Sequence, residues 1–170
     1  MSLSPRPTEI TIANRQRRHR VDSSRCAALA DWLVRRAARV CPQAPWEAVT
    51  VLLVGDRGSA EAHARVFDDP NPTDVITLSY AAMPGVSEGR TGELIVNVDR
   101  AFAEGTRRAA MRRPRAWSPD HELALYIAHG FDHLTGADDH EDADFRRMRA
   151  RDLRWVAAAG RAGRVSGLFR

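Results

Sequence analysis

The stretch SPDHELALYIAHGFDHLTGADDH, residues 118–140, decides how the rest of the chain is read. Its last part, residues 129–140, holds three aspartates and three of the six histidines in the 170-residue sequence. Ser118 is a good capping residue and Pro119 suits the first helical position. Asp120 and Glu122 favour the exposed amides and positive dipole of a helix start. A helix is therefore predicted from Pro119 to about Thr135, stopping at Gly136.

His129 and His133 are four residues apart on that helix, so at about 100° per residue they differ by roughly 40° and face the same way. Gly136 then turns the chain, and a third ligand can return from Asp138, Asp139 or His140. Three protein ligands with one open position is the pattern of a catalytic zinc site, whereas a structural site is closed. A solvated polar loop accounts for the aspartates. It does not account for two histidines on the mostly apolar run Leu123-Ala-Leu-Tyr-Ile-Ala.

Upstream of this helix the pattern is one of strands. Glu9-Ile-Thr-Ile-Ala alternates polar and apolar with period two, Val49 to Val54 is a β-branched run, and two further strands are predicted at Asp74-Val-Ile-Thr-Leu-Ser-Tyr and Glu93-Leu-Ile-Val-Asn-Val. Helices are predicted between and after them. One opens at Asp22 with Leu29, Leu33 and Ala37 at fourfold spacing; one runs from Ser59, as a serine cap, to Phe67; one runs over about 99–113. A last helix over about 143–159 carries Phe145, Met148, Leu153, Trp155 and Val156. Met83-Pro-Gly through Arg90-Thr-Gly92 is predicted to be a loop. Strands come first and long helices last, which is an α+β arrangement: a small four-stranded mixed sheet covered by about five helices.

The length fits one domain. Residues 8–159 are expected to form it, with a loose segment at 1–7 and a flexible, Gly-rich basic tail at 160–170. All 26 basic side chains are arginine and the formal net charge is +4. Arginines cluster at Arg107, Arg108, Arg112, Arg113 and Arg115, and a guanidinium donates paired hydrogen bonds to phosphate. The two cysteines, Cys26 and Cys41, form no CxxC pair, which fits a reducing compartment. No apolar stretch has the length of a signal peptide or a membrane span, so a cytoplasmic protein without membrane association is expected.

At this point the residues resemble those of the YbeY endoribonuclease and ribosomal RNA maturation family, whose signature is H-G-x-L-H-L-x-G-Y-D-H. His129-Gly130, His133-Leu134 and Gly136 match it, and Asp138 falls on the signature aspartate. Pro72-Thr-Asp-Val-Ile-Thr-Leu is similar to the family's P-T-D-V-L-S-F strand, and Gly92-Glu-Leu-Ile-Val-Asn-Val to its G-D-I-V-I-S strand. The resemblance covers about residues 8–157.

The resemblance implies a zincin-like metal helix, one zinc per chain, and single-strand-specific endoribonuclease activity. The implied substrate is precursor ribosomal RNA, at the 3' end of 16S rRNA, during late assembly and quality control of the small ribosomal subunit. Counting ten on from His129 puts the family's third histidine on Asp139, with His140 one later. A carboxylate oxygen is an acceptable zinc ligand, whereas His140 needs the loop to bulge by one residue, so Asp139 is favoured. The family's arginine before the P-T-D strand falls on Phe67, which leaves Arg65 as the nearest candidate, with solvation of a helix surface the expected alternative for it. Asp132 replaces the signature leucine and borders the metal face, where it either orients an imidazole, accepts a proton or is an exposed helix carboxylate. Thr73 and Asp74 are expected to close a turn, and His63 and His121 to be surface or capping histidines. Two other readings compete: a binding-only ribosome-assembly factor with structural zinc, and, ranked last, a metalloprotease-like hydrolase. The latter lacks its general base, because Gly130 stands where H-E-x-x-H has glutamate.

Overall fold

The computed structural model describes residues 7–41, 46–85, 89–112 and 116–170. Four strands and five helices follow in the order β1 (Glu9–Asn14), α1 (Ser23–Val40), β2 (Trp46–Val54), α2 (Asp56–Phe67), β3 (Val75–Tyr80), β4 (Arg90–Asn97), α3 (Val98–Met111), α4 (Pro119–Leu134) and α5 (Asp142–Arg161). The strands form one mixed sheet in the order β1-β2-β4-β3, with the first three parallel and β3 antiparallel to β4. The expected α+β architecture is therefore the observed one.

Two differences from the sequence reading concern strand and helix starts. Arg90, Thr91 and Gly92, expected in a loop, already pair with β2, because their backbone continues the parallel ladder. Ser59 is not a cap: α2 starts at Asp56 behind Gly55, and the buried Ser59 hydroxyl instead donates to the Thr73 carbonyl at 3.0 Å. That bond ties α2 to the turn before β3.

Most of α4 is core. Leu123, Ala124, Leu125, Ile127, Ala128 and Phe131 have no exposed surface, and with Val49, Val51, Leu53, Leu94 and Val96 of the sheet they form one cluster. A buried leucine or isoleucine contributes about 1.5–3 kcal/mol through removal of apolar surface from water, so this helix is held chiefly by burial. Its start is the predicted one: the Ser118 side chain accepts from the His121 amide and Pro119 sits in the first turn. Gly130 is required by close approach, since a Cβ there would lie 2.9 Å from Leu94 and 3.1 Å from Val75.

The segment from Gly160 is not a loose tail. Val165 and Leu168 are buried, Phe169 forms an antiparallel bridge with Val21, and the carboxylate of Asp120 accepts from the amides of Gly167 and Phe169 at 2.8 Å each. Glycine content suggested mobility, but Gly163 and Gly167, at φ +67° and +78°, supply the turns that fold this segment back onto α1 and α4. Residues 1–6 of the expected loose start lie outside the described residues. Among the described residues no helix is long and apolar enough to cross a membrane.

Candidate metal centre

His129 and His133 lie on the last turns of α4, and their Nε2 atoms are 3.1 Å apart. The helix ends at Leu134 with Thr135 as its cap, and Gly136, at φ +87°, takes the left-handed conformation that reverses the chain. The reversal does two things. It points the Ala137 carbonyl at His133 Nδ1, 3.1 Å away. It also returns Asp139, whose Oδ2 lies 3.6 Å from His129 Nε2 and 3.9 Å from His133 Nε2. Ligand atoms of His129, His133 and Asp139 all lie within 4.8 Å of one another.

Hydrogen bonding fixes the tautomers. A carbonyl oxygen only accepts, so His133 Nδ1 carries the proton and its Nε2 keeps a lone pair. His129 Nδ1 lies 2.9 Å from Oδ2 of Asp152, a carboxylate with no exposed surface, which orients that ring the same way. Burial works to lower the His129 pKa, but the Asp152 hydrogen bond and the charges of Asp152, Asp74 and Asp139 outweigh it and leave the group above the ordinary imidazole range.

The two Nε2 atoms, 3.1 Å apart with the Asp139 carboxylate 3.6 and 3.9 Å away, form a group that could hold a cation. Nitrogens bound to one zinc at about 2.0–2.1 Å can be at most about 4.2 Å apart, and the observed spacing satisfies that limit. The donor set of two imidazoles and one carboxylate thus fits a divalent ion of zinc type.

His140 edges the cleft, but it is 84% exposed and its Nδ1 pairs with Asp138 Oδ1. The bend therefore delivers Asp139 to the histidine pair without a bulge.

A cleft of about 340 Å³ opens beside the group, walled by His63 and Phe67 of α2 and by Thr73 to Thr77 along β3. Thr73 and Asp74 close the turn as expected: Asp74 Oδ1 accepts from the Val75 amide at 2.8 Å and from the Thr73 hydroxyl at 3.1 Å. His63 is more than a surface histidine, since it lines this cleft while its Nδ1 donates to the Asn71 carbonyl at 2.8 Å. His121 is the capping histidine expected, bonded to Ser118.

Three site assignments made from sequence are altered. Asp132 is neither at the cleft nor exposed. It is fully buried toward α5, where Arg151 donates to both of its oxygens, one at 2.8 Å, so it cannot accept a proton from the cleft. Arg65 is exposed on the far side of α2: His63 and Phe67 face the cleft at i, i+4, and Arg65, two residues from each, is about 200° around the helix. Arg107 and Arg108 lie at the opposite end of α4 and bond Glu104, and Arg108 also reaches the buried Glu122 at 3.4 Å. Arg112 is exposed at the end of α3, while Arg113 and Arg115 lie outside the described residues.

Asp152 was missed. Its signal was present in sequence: Met148, Asp152, Trp155, Val156 and Ala159 make the buried stripe of α5, and an aspartate occupies one of its apolar positions. Of the apolar residues expected on this helix, Met148, Trp155 and Val156 are in the stripe, whereas Phe145 and Leu153 are 49% and 37% exposed.

A family model, Endoribonuclease YbeY, matches residues 11–160. The chain belongs to that family. It is 28% identical over 162 residues to the endoribonuclease YbeY of Geobacter metallireducens, spanning 92% of this chain and 99% of that protein. It is 34% identical over 128 residues to the endoribonuclease YbeY of Thermobifida fusca, covering 75% and 79%. With that of an Anaeromyxobacter species it shares 32% identity over 115 residues, 68% of this chain and 56% of the relative. The matched region runs from within β1 to within α5 and includes the histidine pair, Asp139 and Asp152.

Proposed function

We propose that this chain is a zinc-dependent endoribonuclease that cleaves single-stranded precursor ribosomal RNA, with residues 8–170 acting as one unit. Its place would be 3' end maturation of small-subunit RNA in the cytoplasm, during late subunit assembly. The observation that carries the reading is the convergence of His129 Nε2, His133 Nε2 and Asp139 Oδ2 at the wall of an open cleft. Family membership supplies the reaction class, because the relatives are named as endoribonucleases.

His129, His133 and Asp139 would hold the zinc, which would supply Lewis acidity for phosphodiester hydrolysis. The chain's own contribution is orientation. Asp152 and the Ala137 carbonyl engage the two Nδ1 atoms, which leaves both Nε2 atoms facing the place where the ion would be held. Gly130 packs the helix against Leu94 and Val75, which leaves no room for the glutamate of a peptidase at that place. A metalloprotease reading is disfavoured on that contact. The binding-only reading puts zinc in a closed structural role, and the cleft beside the ligand group argues against it.

Arg107 and Arg112, with Arg113 and Arg115 of the same sequence cluster, are offered as contacts to phosphates flanking the cleaved one. The test is cleavage of labelled single-stranded precursor RNA by the purified chain, with metal content measured alongside. One zinc per chain and cleavage lost in His129→Ala and His133→Ala support the reading. Equal cleavage by wild type and both variants overturns it.

A further inference from the structure

We infer that Phe67, held by His63, is a stacking platform for a nucleobase of the RNA strand beside the metal group. The inference rests on the ribonuclease reading above and names how the substrate is gripped. Phe67 is 60% exposed, the highest value for a large apolar side chain among the described residues. Single exposed apolar residues need no explanation by themselves. This one forms a wall of the cleft that also contains His129, His133 and Asp139.

The ring is set in place before any ligand arrives. Phe67 is the last residue of α2, and the left-handed Asp68 behind it, at φ 58°, closes the helix by donating its amide to the Ala64 carbonyl at 3.0 Å. One turn back, His63 is pinned by its Nδ1 bond to Asn71 and meets Phe67 edge to face, with ring centroids 5.3 Å apart at 64°. This contact restrains the ring, and Phe67, 60% exposed at the cleft wall, keeps most of its surface free for a ligand.

The chemistry of the remaining wall favours a base over a phosphate here. Among the described residues lining the cleft there is no arginine, and Asp74 and Asp139 are both present. Anionic walls repel a phosphodiester wherever the metal does not offset them, whereas an aromatic face binds any base through its π surface. Phosphate is thus left to the metal group, and the adjoining nucleoside goes to Phe67.

The test measures binding of zinc-loaded protein to a fluorescein-labelled short single-stranded RNA by anisotropy, over times shown by gel to precede cleavage. A matched oligomer with abasic riboses is the second probe. Stacking is worth about 1–3 kcal/mol per base by alanine substitution, and about 1.4 kcal/mol is tenfold, so Phe67→Ala should weaken RNA binding roughly 5- to 140-fold. Phe67→Trp should retain tight binding, and Phe67→Leu should resemble alanine because it is apolar without a π face. The abasic oligomer should not distinguish Phe67→Ala from wild type. Equal affinity of wild type and Phe67→Ala for RNA, or full rescue by leucine, overturns the platform and leaves the ribonuclease reading standing if wild type still cleaves. A wild-type chain that neither binds nor cleaves RNA overturns both.

Discussion

Asp152 is the residue on which the metal group most depends without being a ligand. Its Oδ2 bonds His129, its Oδ1 is buried with no hydrogen-bond partner among the described residues, and burial raises its pKa against the pull of His129. Replacing it by asparagine keeps the volume but removes the charge that supports the imidazole. Partners of this kind are worth 10–100-fold in metal affinity, so Asp152→Asn should lower zinc affinity by about that factor, read by competition with a chelator. Retention of wild-type affinity would show that the carboxylate serves packing alone. How much of the site was legible in the sequence follows from the same distances. His129 and His133 share one helix, where i, i+4 spacing guarantees a common face, and Asp139 needed only the glycine bend between them. Asp152 comes from the next helix, and no local spacing specifies which of its residues meets His129. Arg65 and Asp132 were misplaced for a related reason: proximity in sequence to site residues says nothing about which side of a helix faces the cleft.

Between elements, α4 and α5 are joined by a buried ion pair as well as by apolar contacts. Asp132 has no exposed surface and both its oxygens are taken by Arg151. Such a pair adds little over a well-packed apolar contact, but breaking it strands a charge in the interior at about 3–5 kcal/mol. Arg151→Met should therefore destabilise the fold by roughly that amount in urea unfolding, and adding Asp132→Leu should recover much of it. A loss within about 0.5 kcal/mol for the single change would mean that water reaches Asp132. The helices and strands themselves were readable because period, caps and β-branched runs are local signals. Strand β4 began earlier than expected because Gly92 reads as a turn residue, yet its lack of a side chain admits Leu134, which would lie 2.9 Å from a Cβ there.

At the scale of the whole molecule, the segment after α5 acts as a clasp. Leu168 is fully buried in the main core, so Leu168→Ala should cost about 2–5 kcal/mol, an outcome incompatible with a mobile tail. Thermal melts showing no change would restore the sequence expectation. Arg170 closes the clasp on Asp22, the cap of α1, at 2.6 Å, and this hydrogen bond, followed by the Arg25 amide, holds the Asp22 carboxyl below its ordinary range. A depressed carboxyl adds stability above its unfolded value, near 3.9, and loses it as pH falls through the folded one. The gap in melting temperature between wild type and Asp22→Asn should accordingly be widest near neutrality and shrink below about pH 4. A gap independent of pH would assign the difference to capping geometry.

The bend at Gly136 has a consequence in time as well as in space. Because it folds Asp139 back onto the turn that carries His129 and His133, every donor atom of the metal group comes from residues 129–139. A chain made as far as residue 139 therefore contains all three side chains of the group, and the loop between them is short, so its closure costs little entropy. Asp152, thirteen residues further on, is made later and then orients the His129 ring.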